Sequence, residues 1–139
     1  MKEKIFIAAD HAGFELKDKL LKHFDGLFDD LGTNNEDSVD YPDYAHSLVS
    51  KINKSLNSKG ILICGSGVGM SITANRNPNI RAGLAFNSQI AELVRQHNDA
   101  NILVLPGRFI DIHEAIKCVD KFLKTKFDGG RHQKRIEKI

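Results

Sequence analysis

The sequence predicts an α/β fold in which a parallel sheet is covered by helices on both faces. Segments of strand and helix character alternate about five times along the 139 residues. The strand segments are short and apolar throughout, instead of alternating between apolar and polar residues, which is typical of parallel strands buried on both faces. A chain of 139 residues also favours one domain, 1–139, with a single substantial core.

The first half of the chain is predicted to contain two strands and two helices before a central strand. Apolar residues at helical spacing define the helices, and Gly- and Asn-rich segments separate the elements. In chain order we expect a strand at 4–9, a helix at 14–24, a short strand at 27–31 and a helix at 43–56. Asp43 is expected to cap that second helix, after Tyr41-Pro42 has closed the preceding loop.

The second half repeats the alternation. Residues 57–60 are expected to form a turn, and Ile61 to Cys64 form the central strand. The remaining predicted elements are a helix from Met70, a strand at 82–86, a helix capped by Asn87 or Ser88, a strand at 102–105, a helix at 112–123 and a basic C-terminal segment at 131–139. Gly129-Gly130 separates that last segment from the helix before it.

The central strand ends in the segment Cys64-Gly65-Ser66-Gly67-Val68-Gly69, around which the predicted site is organised. Glycine adopts positive φ without strain and has no Cβ, so alternate glycines let backbone N–H groups converge on an anion. The helix that follows adds the positive end of its dipole at the same point. Cys64 is therefore a candidate catalytic thiol, although a packing role for a buried cysteine stays open.

Two nucleotide-binding motifs resemble this glycine loop, and neither fits. A P-loop requires Lys-Ser or Lys-Thr after its last glycine, and Met70-Ser71 follows Gly69 here. A dinucleotide fingerprint requires Gly-x-Gly-x-x-Gly after the first strand and an acidic residue about 20 positions later. This loop follows the third predicted strand and has neither feature, so anion or oxyanion binding is favoured over a tight turn without a ligand.

Polar side chains follow the predicted strands, at the edge of the sheet where ligands bind in such folds. Asp10-His11 follows the first strand, Asn87-Ser88 the fourth and Arg108 the fifth. His97 lies in a polar run between a helix and a strand, where it could also serve as a helix C-cap. Arg131 and Arg135 lie four residues apart on the C-terminal segment, so in a helix both guanidinium groups face the same side and can bind one phosphate.

Composition excludes several other classes of protein. The net charge of +2 does not by itself indicate nucleic-acid or membrane binding, and the basic C-terminal segment lacks aromatic residues for base stacking. No apolar run approaches the roughly 20 residues of a membrane-spanning helix. His and Cys residues show no metal-ligand spacing, so no metal site is expected. Two cysteines without a secretion signal favour free thiols and a cytoplasmic protein.

Four motifs in order give the chain a close resemblance to ribose-5-phosphate isomerase type B, in a family that also holds galactose-6-phosphate and allose-6-phosphate isomerases. The motifs are Asp10-His11, the segment 64–69, the segment 96–99 and the segment 129–135. The resemblance implies a five-stranded Rossmann-like three-layer α/β/α sandwich. It also implies a homodimer or dimer of dimers with a site shared between subunits, a phosphorylated sugar substrate, no metal or other cofactor, and a place in the pentose phosphate pathway.

Residue roles also follow from the resemblance. Cys64 resembles the base that moves a proton between C1 and C2, and His97 resembles the acid/base that opens the sugar ring. Met70 stands where a second subtype of the family has a glutamate base, so the cysteine subtype fits this sequence. The remaining expected substrate contacts are Asp10, His11, Tyr41, Gly65, Ser66, Gly67, Val68, Gly69, Asn98, Arg108, Arg131 and Arg135.

The sequence is compatible with two alternative functions. One is an isomerase of the same family that acts on a hexose 6-phosphate with the same chemistry. The other is a sugar-phosphate or nucleotide-binding module without catalytic activity.

Overall fold

Strands and helices alternate along the chain and end in two successive helices in the computed structural model, which describes residues 3–55 and 57–139. The strands are β1 (Lys4–Ala9), β2 (Asp29–Asp30), β3 (Ser58–Cys64), β4 (Ala82–Leu84) and β5 (Ile102–Pro106). The helices are α1 (Phe14–His23), α2 (Tyr41–Lys54), α3 (Val68–Asn75), α4 (Ser88–Gln96), α5 (Ile112–Lys124) and α6 (Arg131–Ile136).

All five strands lie in one sheet, in the order β2-β1-β3-β5-β4, and every neighbouring pair is parallel. The predicted α/β fold with a five-stranded parallel sheet is therefore confirmed. The connection after β1 leads to one side of the sheet and the connections after β3 lead to the other. In open parallel sheets ligands bind at such a switch point, outside the carboxyl ends of the strands. Ala9 of β1 is the register partner of Ile63 of β3, so the residues that follow these strands lie side by side.

Helices cover both faces of the sheet because successive side chains of a strand point to opposite faces. On one face, buried residues of β1, β3 and β5 pack with residues of α1, α4 and α5, including Leu20 and Phe122. On the other face, Leu62, Cys64 and Val104 pack with residues of α2 and α3. The Cys64 side chain therefore belongs to the layer that holds α3, the helix beginning directly after the glycine loop.

Helix α2 begins earlier than the sequence predicted. Asp40, not Asp43, is its N-cap residue, and Pro42 lies in its first turn. Proline is tolerated there because the first N–H groups of a helix have no intrahelical acceptor. The helix ends at Lys54, and Leu56, near which we expected its end, lies outside the described residues.

Other boundaries also differ from the prediction. β3 begins at Ser58 instead of after a turn at 57–60, because Ser58 and Lys59 pair with the first two residues of β1. β4 ends at Leu84 rather than at residue 86, and α3 begins at Val68 rather than at Met70. No helix within residues 3–55 and 57–139 is long and apolar enough to cross a membrane.

Candidate active site

A pocket of about 450 Å³ opens at the carboxyl ends of β1 and β3, at the switch point of the sheet. Small-molecule sites typically have volumes of about 300–1,000 Å³. The lining residues are Asp10, His11, Ala12, Tyr41, Cys64, Gly65, Ser66, Val68, Gly69, Ile72 and Arg108. One pocket therefore brings together most of the site residues that the sequence predicted from β1, the glycine loop and β5.

Asp10 and His11 are each held by one backbone N–H group. Oδ1 of Asp10, which is only 5% exposed, accepts a hydrogen bond from the Gly13 N–H at 3.0 Å. Its second carboxylate oxygen is left for the pocket. Nδ1 of His11 accepts from the Val39 N–H at 3.1 Å. In a neutral imidazole with Nδ1 as acceptor the proton is on Nε2, so His11 can offer an Nε2–H donor to a ligand.

Cys64 lies at the last position of β3, 4% exposed, beside the N-terminus of α3. The first helical hydrogen bond of α3 is from the Ser71 N–H to the Gly67 carbonyl oxygen at 3.0 Å. The N–H groups before Ser71 therefore have no intrahelical acceptor, and Ser66 Oγ takes up only that of Val68. The remaining loop N–H groups are available to an anion next to the Cys64 thiol.

Two glycines of this loop are required by close packing. Gly67 has φ of +79°, and a Cβ there would lie 2.5 Å from Leu84 Cδ1. A Cβ on Gly69 would lie 2.5 Å from the Tyr41 ring, which therefore packs directly against the loop. Replacement of Gly67 would strain the backbone that carries the free N–H groups, and replacement of Gly69 would force either this backbone or the Tyr41 ring to move.

Arg108 and three apolar side chains surround the mouth of the pocket. The Arg108 N–H donates to the Gly65 carbonyl oxygen at 3.0 Å, while its exposed side chain remains available to a ligand. Tyr41, Val68 and Ile72 are 39%, 48% and 57% exposed, although all three are apolar or aromatic. Exposed apolar side chains next to a pocket are typical of a surface covered by a partner.

His97 and Asn98 lie near the amino-terminal ends of the strands, whereas Cys64 lies at their carboxyl ends. His97 is the C-cap of α4, five positions before the first residue of β5. Ile102 pairs with Gly60 and Pro106 pairs with Cys64, so the two edges are separated by the length of β5, roughly 13 Å. The predicted catalytic residues Cys64 and His97 are therefore not brought together within one chain.

Arg131 and Arg135 lie near His97 rather than near Cys64. The Asp128 N–H donates to the Gln96 carbonyl oxygen at 3.0 Å, which ties the segment before α6 to the end of α4. Both arginines lie on α6, as predicted, and both are exposed. The predicted site thus falls into two parts, the pocket at the carboxyl ends of the strands and a second group formed by His97, Asn98, Arg131 and Arg135.

Two arginines bind the Asp99 carboxylate and fix the turn that follows His97 and Asn98. Asp99 has φ of +48°, and its two carboxylate oxygens accept from Arg95 Nη1 at 2.8 Å and Arg81 Nη2 at 3.1 Å. Arg95 is only 8% exposed and also donates to the Thr125 and Ala100 carbonyl oxygens. The backbone at His97 and Asn98 is consequently held from both sides.

The structure also brings His97 next to Asp128 and His132, two residues for which no role was predicted from the sequence. The donor atoms of these three side chains lie within 4.8 Å of one another. The two imidazoles are stacked, with ring centroids 4.3 Å apart and an interplanar angle of 16°. The lone pairs of nearly parallel rings run side by side instead of converging on one ion, so the arrangement does not favour a metal. Spacing could not reveal this cluster, because His97 lies far from Asp128 and His132 in the sequence.

Three other polar or reactive residues have structural roles. Asn87 Oδ1 caps α4 by accepting from the Ile90 N–H, and the Ser88 N–H donates to Glu114 Oε2. Neither lines the pocket that contains Cys64. Burial, with a smaller contribution from Glu114, raises the pKa of Cys118 to about 12, so that thiol stays protonated within the core.

The fold and the pocket define a Rossmann-like α/β protein with a small-molecule site at the carboxyl edge of its sheet. A model of the ribose/galactose isomerase family matches residues 5–139, and the chain belongs to this family. It is 48% identical over 143 residues to a probable ribose-5-phosphate isomerase B of Mycoplasma pneumoniae, with 100% of this chain and 94% of that relative covered.

Solved structures agree with this assignment. A ribose 5-phosphate isomerase from Thermotoga maritima is 54% identical and superposes with a TM-score of 0.94, covering 97% of this chain and 95% of that chain. Ribose-5-phosphate isomerase B from Mycoplasma genitalium, with bound ribulose-5-phosphate, is 45% identical with a TM-score of 0.93, covering 99% of this chain and 94% of that chain.

Proposed function

We propose that this protein is an aldose–ketose isomerase that interconverts ribose 5-phosphate and ribulose 5-phosphate. One observation carries the proposal: Cys64, the free N–H groups of the glycine loop and the Asp10-His11 pair all face one pocket. Membership of the ribose/galactose isomerase family supports the reaction class. The ribulose-5-phosphate bound to the Mycoplasma genitalium relative supports the choice of a pentose.

Cys64 is the proposed base. Isomerisation removes a proton from carbon next to a carbonyl group and returns it to the neighbouring carbon, through an enediolate. A positioned base typically accelerates such a transfer by 10²–10⁴-fold. The N–H groups of the loop 65–69 lie where the enediolate oxygen would develop its charge, and each such donor contributes about 3–4 kcal/mol. Asp10 and the Nε2–H of His11 bind the sugar hydroxyl groups in this account.

His97 opens the sugar ring, and the arginines bind the phosphate. Ribose 5-phosphate is mainly cyclic, so an acid must protonate the ring oxygen while a base takes the proton of the anomeric hydroxyl. His97, half-buried at the end of α4, is the proposed group for both transfers. Arg108, Arg131 and Arg135 hold the phosphate, and Asn98 and Tyr41 contact the sugar. Binding energy from the phosphate orients the carbons that react.

A complete site requires two copies of the chain, because Cys64 and His97 lie at opposite edges of one sheet. In a symmetric dimer the second group of one chain can lie over the pocket of the other. The exposed apolar side chains at the pocket mouth support this arrangement, since a partner would cover them. We therefore propose a homodimer, or a dimer of dimers, with each site shared between two subunits.

Galactose and allose phosphates are the alternative substrates, because the matching family is that of the ribose/galactose isomerases. Their isomerisation uses the same groups in a roomier pocket.

Cys64 and Cys118 are both free, which suits the reducing environment of the cytoplasm, the proposed location.

The decisive experiment is an isomerase assay with ribose 5-phosphate, allose 6-phosphate and galactose 6-phosphate. Cys64→Ala is expected to lower turnover by at least about 10²-fold while ribose 5-phosphate still binds, because only the base is lost. Cys118→Ala is the matched control, since that thiol is buried away from the pocket, and it should keep wild-type turnover. A fully active Cys64→Ala variant would exclude Cys64 as the base, and a wild type active only on a hexose phosphate would favour the alternative.

A further inference from the structure

The imidazole of His97 is oriented by packing rather than by a hydrogen bond. Its backbone is fixed, since the His97 N–H donates to the Leu93 carbonyl oxygen at 2.8 Å. Within residues 3–55 and 57–139, however, its ring nitrogens have no hydrogen-bond partner. An acid/base that must reach both the ring oxygen and the anomeric hydroxyl needs a defined ring orientation. The residue that supplies it must contact the ring itself.

His132 makes that contact. It lies in the first turn of α6, is only 8% exposed, and its N–H donates to the Gly129 carbonyl oxygen at 3.0 Å. Its ring is stacked on that of His97 with 4.3 Å between centroids. A buried ring on a helix has few alternative rotamers, so it presents a fixed flat surface. The His97 ring can slide across that surface but cannot tilt into it.

The groups around His132 disfavour a positive charge on its ring. The charged or titratable groups that face His132 are His97, Arg131, Arg135 and Asp128. Burial and the three basic neighbours lower the pKa of His132, and the carboxylate of Asp128 offsets this only in part. His132 therefore stacks on His97 as a neutral ring. A neutral ring also leaves both nitrogens of His97 free for the sugar.

We propose that His132 is a positioning residue that holds the imidazole of His97 in its catalytic orientation by ring stacking. This inference rests on the proposed ring-opening role of His97, and it adds to that role the residue that makes the orientation possible. His132 itself contacts no reacting atom in this account. Loss of its ring should therefore slow ring opening and leave the proton transfer at Cys64 intact.

Two reactions separate these steps. Turnover of ribose 5-phosphate requires ring opening. Exchange of the C1 hydrogen of ribulose 5-phosphate for deuterium in D₂O does not, because this ketose has its O5 phosphorylated and cannot close a five-membered ring.

His132→Ala is expected to lower ribose 5-phosphate turnover by about 10–100-fold, the range in which a misplaced catalytic group acts. The rate of deuterium exchange should change by less than about twofold. His132→Phe keeps a flat ring and should restore most of the turnover. His113→Ala, an exposed histidine of α5, is the control and should match the wild type.

Nuclear magnetic resonance provides a readout that does not depend on activity. The ring protons of His97 should be shifted by the ring current of His132, and the shift should disappear in His132→Ala and persist in His132→Phe. Equal loss of turnover and exchange in His132→Ala, unchanged turnover, or a Phe variant as slow as the Ala variant would each overturn the proposal. A wild type that catalyses neither reaction would refute the proposed function, while the ring-current shift would still test the stack.

Discussion

At the scale of single residues, the two functional groups of interest are held by very different means. Cys64 is fixed by the pairing of β3 with β5 and by helix α3, which begins four residues later. His97 is fixed at the end of a helix, and its ring lies against His132 and near Asp128, which belong to a distant part of the chain. The local sequence around Cys64 is therefore informative about its role, whereas that around His97 is much less so.

The pKa of His132 makes the stability of the protein depend on pH. Burial first, and then His97, Arg131 and Arg135, lower this pKa from the ordinary value of 6.5. Below pH 6.5 the unfolded chain thus takes up a proton that the native state resists. The contribution of His132 to the free energy of unfolding is present above that pH and is lost as the pH falls through the native value.

We expect the stability of the wild type to fall more steeply than that of His132→Phe between about pH 7 and pH 5. Urea unfolding at several pH values measures this difference between the two proteins. Parallel stability curves for the two proteins would contradict the assignment.

At the scale of elements, the connection between β3 and α3 determines whether the glycine loop can present its N–H groups. Gly67 holds positive φ and at the same time packs against Leu84 and Val104. Gly26 has a similar φ of +77°, but a Cβ there would meet no atom within 4 Å. The two glycines therefore differ in packing while they share the same backbone requirement.

Alanine at these two positions separates backbone strain from steric conflict. Gly26→Ala is expected to cost about 1–2 kcal/mol, the cost of a left-handed conformation for an L-residue. Gly67→Ala should cost more by at least about 1 kcal/mol, because the loop must also move away from Leu84, and it should reduce isomerase turnover. Urea denaturation and the isomerase assay measure both effects. Equal stabilities for the two variants would show that the packing against Leu84 is unimportant.

At the scale of the whole molecule, the sheet itself separates the two parts of the site. Its strands place Asp10 and Cys64 at one edge and the end of α4 at the other. No rearrangement of side chains can bridge that distance, so the proposed chemistry depends on assembly.

Mixed dimers test this dependence. Cys64→Ala and His97→Asn should each be nearly inactive alone. When equal amounts are co-refolded, half of the dimers contain both variants, and each of these has one intact site, so about a quarter of wild-type turnover should return. A mixture that stays as inactive as its components would show that each chain completes its own site. Cys64→Ala mixed with a Cys64→Ala, His97→Asn double variant is the control and should recover nothing.

Much of the fold follows from local patterns. Short continuous apolar segments such as 5–9 and 102–105 are typical of strands buried on both faces, so the parallel sheet and its helical layers were predictable. The boundaries at Ser58 and at Tyr41 were not. The first depends on pairing with β1, and the second depends on the backbone conformation around Pro42.

The sequence by itself determined the chemistry available at the pocket. The order of strand, cysteine and alternate glycines is a local arrangement, and short-range backbone geometry is enough to place free N–H groups beside a thiol. Only the tertiary structure decided that His97 lies at the far edge of the sheet and is stacked on His132. The physical reason is that contacts between residues far apart in the chain depend on how the whole sheet and its helices pack, and no local pattern records them.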